Sequence, residues 1–556
     1  MEPRNNMIDQ LKILYNNQLY GDVTVVANIL LTLGDNCPEL INMAVRYQAM
    51  VYQGDACFYT QEYKRAEAIY CEALQMKKLL NKTKTKVTPG EIPSEVDVRL
   101  KLHDCYCHMK MWTEAGQVLE CISAKQRSAR VNMCLAKLYQ QIGQDRSAIT
   151  CYKEVLRECP LSLEAVQGLL SQGVKGAEVA ARMMSGHSNM MNNDWLSSWV
   201  KAQAFLASRD YPNAISTFTM LDARPLLRNN TELLCYLGEA QFLNGNYSLA
   251  TKTLCRAHKL NPLITKNMDI LAYLYYKEKK VKELESLSSQ LMSVTELAPE
   301  PWVCMSYMCI STKKAAKGVY FAQKAYILDN RSVEALLVKG IGLSELKKYQ
   351  DAILHFREAL RLAPHRYEVH KGLIDAYLAC DRTRNVLPVA VHAYKQLGTN
   401  ARSLTLYASV LAKEPLSEEK AKSFLEKAMK LDNHYMEAVY AMAGILAQQQ
   451  QHEKAIELLK RQVKVHSTCK VHQILGDFLS HVHDHQEALK QYHIALCMDP
   501  NNERVKEGIE RVEKHINLLR LDATYDVENE EMEGSDNEPD LEGSDLESGW
   551  SDVDVM

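Results

Sequence analysis

The spacing of one small-residue position constrains this chain more than any other feature. Counted from the best copy, that position falls at 66, 115, 148, 180, 214, 250, 284, 318, 352, 386, 421, 455 and 488. Most steps are 32 to 36 residues, and the four from 250 to 386 are each 34. The best copy is DAILHFREALRLAP, residues 351–364. Ala352, Phe356 and Ala359 stand at i, i+4 and i+7, one face of a helix, and Ile353 and Leu360 widen the stripe. Pro364 lacks an N–H and disfavours helix at the residue before it, so this helix should stop near Leu362. SAITCYKEVLRECP repeats the pattern with Ala148 and Tyr152, SLATKTLCRAHKLNP with Ala250, and EALKQYHIALCMDP with Ala488 and Tyr492.

A second series runs ahead of the first. Twelve residues before the repeated position stands a small residue in many copies, including Gly54, Ala136, Gly168, Ala202, Gly238, Ala272, Gly340, Ala443 and Gly476. Three residues further on stands a bulky one, as at Tyr106, Tyr139, Phe205, Tyr275 and Tyr377. Small residues let helix axes approach, and large ones fill the gaps between them. Two helices per unit with a period of 34 is the tetratricopeptide-repeat pattern. One such hairpin cannot bury its apolar face alone, so stacked copies must build a continuous core. The fold expected is all-α: a superhelical solenoid of about thirteen hairpins, with a further degenerate pair before Tyr47. The copies at Ala180, Leu284 and Val386 fit poorly in their second helices. The single long step, from 66 to 115, holds the polar loop 81–95.

Composition agrees with a globular chain. Of 556 residues, 47% are hydrophobic and 24% charged, with only 23 Gly and 15 Pro to break helices. The 16 cysteines form no CxxC pair and lie within helical patterns, so reduced, mostly buried thiols are expected. The chain opens without a signal-peptide pattern, which points to the cytosol or nucleus. The run VVANILLTL, Val25 to Leu33, is too short to span a bilayer, so no membrane role is expected. Residues 526–556 hold 13 Asp or Glu and no Lys or Arg. The rest therefore carries 66 Lys or Arg against 56 Asp or Glu, spread thinly, and nucleic-acid binding is not expected.

Candidate chemistry is sparse. Lys339-Gly340-Ile341-Gly342 sits inside a helical pattern and reads as packing rather than a phosphate loop. Ser311-Thr312-Lys313-Lys314 matches SxxK but falls between helices without its companion motifs. Cys105-Tyr106-Cys107-His108 has adjacent positions that do not share a helix face. His481-Val482-His483-Asp484-His485 falls at a hairpin turn and could offer metal ligands, though a solvated turn is the simpler reading. No catalytic, cofactor-binding or metal site is expected. The residues singled out are those of repeat packing: Ala148, Tyr152, Ala250, Gly340, Ala352, Phe356, Ala359, Pro364, Gly476, Ala488 and Tyr492.

From Asp526 the periodicity ends, and the acidic, Ser/Gly-rich segment 526–556 is expected to be disordered. Ser535, Ser544 and Ser551 each have acidic residues at +1 and +3, the pattern acidophilic kinases favour, and Trp550 is a candidate docking anchor.

An array of this kind is most simply a scaffold, of which two classes compete. Chaperone adaptors of the repeat family grip acidic peptide tails with a lysine at the fifth and an asparagine at the ninth position of a unit. Here only Lys371 supplies the lysine, and it meets Asp375. The other class is a structural subunit of a large assembly. GVKGAEVAARMM (173–184), DWLSSWVKA (194–202), EPWV (300–303), ALLVKG (335–340), AILHFREALRLAP (352–364), ILGDFL (474–479) and EGSDLE (542–547) resemble the repeat subunits of the anaphase-promoting complex, the cell-cycle ubiquitin ligase. The resemblance covers nearly the whole chain in order. It implies a non-catalytic scaffold for mitotic progression, nuclear and cytoplasmic, that pairs with itself and stacks on other repeat subunits, the cullin and RING chains being separate. It also implies a division into residues 1–160 for self-association and 161–520 for other subunits. A repeat subunit gripping activator tails ending in Ile-Arg, and a peptide-binding co-chaperone, are the alternatives.

Overall fold

The computed structural model describes residues 4–37, 41–82, 93–184, 194–380, 382–414, 417–433, 435–500 and 502–530. Among these there are 29 α-helices, from Arg4–Asn16 to Glu503–Glu530, and no strand. Consecutive helices pair into antiparallel hairpins. Every one of the thirteen repeated positions falls in the second helix of a pair, from Ala66 in Tyr63–Lys82 to Ala488 in His485–Met498. The pair expected before Tyr47 is present as Arg4–Asn16 and Tyr20–Asn36. The chain forms two compact units, Met1–Tyr275 and Tyr276–Met556. In the first, one core runs from Leu100 to Ala240 through residue 160, so the 160/161 division is not a packing boundary. In the second, a core runs from Ala401 to Val512.

The helix Tyr349–Leu362 stops where Pro364 requires. Its stripe Ala352, Ile353, Phe356 and Ala359 is buried. Phe356 lies between two glycines sixteen residues before and after it. A Cβ on Gly340 would come within 2.5 Å of the ring, and one on Gly372 within 2.8 Å. Tyr492 sits likewise between Gly476 and Gly508, each at 2.8 Å. The repeated small residue is thus a notch, and the large residue of the second helix fills the notches of the first helices on both sides.

The hairpin turns share a device that the sequence shows only in part. The residue five before the repeated position takes a left-handed conformation at Gln61, Lys110, Gly143, Arg209, Gly245, Lys279, Lys313, Lys347, Gln450 and His483. Only two of these are glycine, although a left-handed backbone costs an L-residue on the order of 1 kcal/mol. Lys347→Gly should therefore stabilise its hairpin by up to about 1 kcal/mol, read as slower hydrogen exchange in Tyr349–Leu362. Faster exchange there would contradict this account of the turn.

Two sequence expectations need correction. In the short helix Gly176–Met184 the buried residues are Val179 and Met183, while Ala180 is half-buried, a one-residue slip from the spacing. The last helix continues to Glu530, past the end of periodicity at Asp526. Gly and Pro do not occur between Gly508 and Gly534, so nothing local stops it sooner. The apolar run Val25–Leu33 is not wholly exposed, because Ala27 and Leu30 are buried against the next helix. The polar loop 81–95 lies mostly outside the described residues, as do Ser535, Ser544, Ser551 and Trp550.

Candidate functional site

The faces a repeat array offers to partners are the inner wall, made by first helices, and whatever its ends leave uncovered. In the second unit the chain's own side chains engage one another across several first helices. Tyr435 lies just before the helix Met436–Gln448 and donates its hydroxyl to Glu437 at 2.7 Å. The hydroxyls of Tyr367 and Tyr435 stand 3.3 Å apart, two repeats distant in sequence. Lys371 reaches Glu437 at 3.5 Å, and Lys277 approaches it at 4.0 Å. Around them runs a ladder of charges in which Glu334, Glu368 and Arg402 stand at matching repeat positions. Arg366 bonds Glu334, its Nε lies 3.4 Å from Glu368, and Arg402 reaches Glu368 at 3.9 Å.

The electrostatics follow from burial. Burial raises the Glu437 carboxyl, but Lys371, the Tyr435 hydroxyl and Lys277 outweigh it, so Glu437 titrates below its ordinary range. Burial holds Lys277 down and Asp375 up. Lys371, the one lysine at a clamp position, is thus engaged by the chain's own Glu437. That arrangement argues against the chaperone-adaptor reading.

The packing residues lie in the cores. Ala148, Tyr152, Ala250, Ala352, Phe356, Ala359, Ala488 and Tyr492 are all buried. Gly340 and Gly476 form the notches described above. Pro364 sits in the turn after its helix, where its carbonyl lies 2.8 Å from His370 Nε2. Where His103 and Ser306 stand in place of Gly or Ala in the first helix, a polar atom makes the contact. Ser306 Oγ donates to the Gly318 carbonyl at 2.8 Å, and His103 Nδ1 lies 3.1 Å from the Ala115 carbonyl.

The motifs weighed for chemistry are drawn into structure. Gly342 faces Val319, where a Cβ would come within 2.9 Å. Lys313 is a left-handed turn residue. Cys107 Sγ lies 3.5 Å from His103 Nε2, while His108 stacks on Tyr63 at 4.4 Å, so the CYCH run diverges. Among the described residues no group of three His, Cys, Asp or Glu is arranged to hold a metal ion. The segments GVKGAEVAARMM and DWLSSWVKA share one core through Val179, Met183, Leu196, Trp199 and Val200. Gly176 is required there, since a Cβ would meet that of Ala204 at 2.4 Å.

One surface was only partly legible. The helix Tyr20–Asn36 is apolar on two sides: Val23, Ala27 and Leu30 pack inward, while Val25, Ile29 and Leu33 are 59%, 48% and 39% exposed. Ile13 and Leu19 beside them are also exposed. No helix among the described residues is long and apolar enough to cross a membrane.

Hairpins joined by left-handed turns and locked by large residues in small-residue notches define a tetratricopeptide-repeat array. The tetratricopeptide-repeat family model matches residues 418–469. Anaphase-promoting complex subunit 7 of Homo sapiens is 40% identical over 559 residues, covering 98% of both chains. The Arabidopsis thaliana protein of the same name is 28% identical over 543 residues, covering 93% of this chain and 95% of its own. The chain belongs to the anaphase-promoting complex subunit 7 family. In fold it is similar to a chain in the crystal structure of the APC/C hetero-tetramer Cut9-Hcn1, with a TM-score of 0.56, 13% identity, and coverage of 92% and 96%.

Proposed function

We propose that this chain is a non-catalytic scaffold subunit of the anaphase-promoting complex, the multisubunit ubiquitin ligase of mitosis, and that it acts through its stacked repeats in nucleus and cytoplasm. The observation that carries the reading is the full-length identity to subunit 7. The self-engaged inner wall supports it, because Lys371 and Glu437 satisfy each other rather than wait for a peptide terminus. Its partners would be other repeat subunits of the same ligase. Incubated with ubiquitin, its activating enzyme and a conjugating enzyme, the purified chain should form no conjugates above a control without it. Stoichiometric turnover would contradict the non-catalytic reading.

The same proposal includes a homodimer through residues 1–160. Val25, Ile29 and Leu33 form an exposed apolar stripe along one helix, the kind of face a two-fold partner covers with its own copy. Full-length Val25→Asp/Ile29→Asp should run at monomer mass by light scattering at micromolar concentration, where the unchanged chain runs as a dimer. A dimeric double variant would move the interface elsewhere.

A further inference from the structure

The last hairpin and the final helix border an open hollow that the proposed function does not use. It measures about 820 Å³ and lies wholly within the second unit. Arg504, Arg511 and Lys514 line it from the helix Glu503–Glu530. His483 and His485 enter from the turn and start of His485–Met498, and His515 meets them from the final helix. The three imidazoles cluster, with ring centroids 5.8, 6.4 and 5.5 Å apart. His481 completes the basic lining from the helix Cys469–His481.

Two carboxylates oppose these groups. Asp477 is engaged, since the Tyr492 hydroxyl donates to it at 2.6 Å and Arg511 approaches it at 4.0 Å. Glu507 is the other. Three fixed cations therefore face two carboxylates before any histidine takes up a proton. Both ring nitrogens of His485 are buried and make no hydrogen bond. Buried polar atoms are normally satisfied, and an imidazole N–H without an acceptor calls for one. The unsatisfied imidazole and the charge both suit an anionic oxygen ligand.

We infer that the occupant is the acidic segment 531–556 of the same chain. It carries ten Asp or Glu and no Lys or Arg. It begins directly after Glu530, at the end of the helix that lines the hollow. From His515 to Glu530 is about 22 Å along that helix, and 26 residues span up to ~86 Å when extended, so return to the hollow needs a fraction of the reach. Carboxylates of the segment accept from His485 and pair with Arg504, Arg511 and Lys514.

The test uses full-length protein throughout. In one chain the Asp and Glu of 531–556 are replaced by Asn and Gln, and a labelled peptide of residues 531–549 is titrated into it and into the unchanged chain. A tethered segment acts at an effective concentration on the order of millimolar. The peptide should therefore bind the neutralised chain about 10-fold or more tightly than the unchanged one. Adding Arg504→Glu and Arg511→Glu, both on the exposed side of the helix, should remove at least 10-fold of that affinity while leaving the circular dichroism unchanged. Equal affinity for the two chains would show the hollow open and reserve it for an acidic segment of another protein, overturning the inference. Insensitivity to the Arg504/Arg511 change would overturn it as well. Carbodiimide cross-links from Lys514 to the segment should carry a single isotope label in mixed ¹⁴N/¹⁵N samples. Mixed-label links would assign the segment to a second copy and refute docking within the chain.

Discussion

Phe356→Ala should lower the local stability of its stack by about 3–5 kcal/mol, the range for removing a fully buried phenyl ring. The ring is 1% exposed and fills two notches at once, those of Gly340 and Gly372. Neither glycine has a side chain to move into the space, so the cavity stays. Repeat arrays unfold by neighbourhood rather than as one block, so the loss belongs to the helices Val333–Glu345, Tyr349–Leu362 and Tyr367–Ala379. Hydrogen exchange should accelerate there and stay unchanged in the first unit. A second substitution sharpens the claim. Gly340→Ala should destabilise the unchanged chain, because its Cβ would stand 2.5 Å from the ring. In the Phe356→Ala background the obstruction is gone, and the same change should stabilise by up to about 1 kcal/mol through helix propensity. Additive effects would mean that the ring and the glycine do not share one notch.

Asp55→Ala should cost a similar amount, about 3–5 kcal/mol, for a different reason. The Asp55 side chain is 2% exposed and accepts from Lys101 at 2.6 Å, Tyr70 at 2.6 Å and Tyr15 at 2.9 Å. Those donors come from three other helices, so one carboxylate ties together four elements of the first unit. Burial, with Asp55 alongside, pushes the Tyr70 hydroxyl far above its ordinary range and keeps it a donor. Alanine leaves all three donors without an acceptor. Asp55→Asn keeps one acceptor and should cost less. Lys101→Met should cost least, because the lysine is one-third exposed and its loss leaves Asp55 with two hydroxyl donors. Urea denaturation followed by far-UV circular dichroism, with hydrogen exchange to locate the loss, would order the three. Lys101→Met costing as much as Asp55→Ala would contradict this account.

The array was legible because its physics is periodic. A notch and a knob must recur at every hairpin, so Ala352 and Phe356 repeat and the spacing finds them. The turn device was hidden because its residue type is not fixed: Lys279, Lys313 and Lys347 adopt the same left-handed backbone as Gly143 and Gly245. The inner-wall network was hidden for another reason. Lys371 and Glu437 lie two repeats apart, and no local pattern links residues at that separation. The exposed half of the Val25–Leu33 run was seen as apolar, but its two faces needed the packing of Ala27 and Leu30 to separate. The basic hollow was half-visible as His481, His483 and His485; the contribution of His515 from the final helix was not. Family membership rested on departures from the consensus, such as Gly176, whose missing Cβ makes room for Ala204.

The central claim is that these hairpins hold a place in a ligase assembly. Affinity purification of the tagged chain from dividing cells, with mass spectrometry, tests it most directly. The expected result is co-recovery of the anaphase-promoting complex, including its other repeat subunits. Recovery of chaperones without ligase subunits would contradict it.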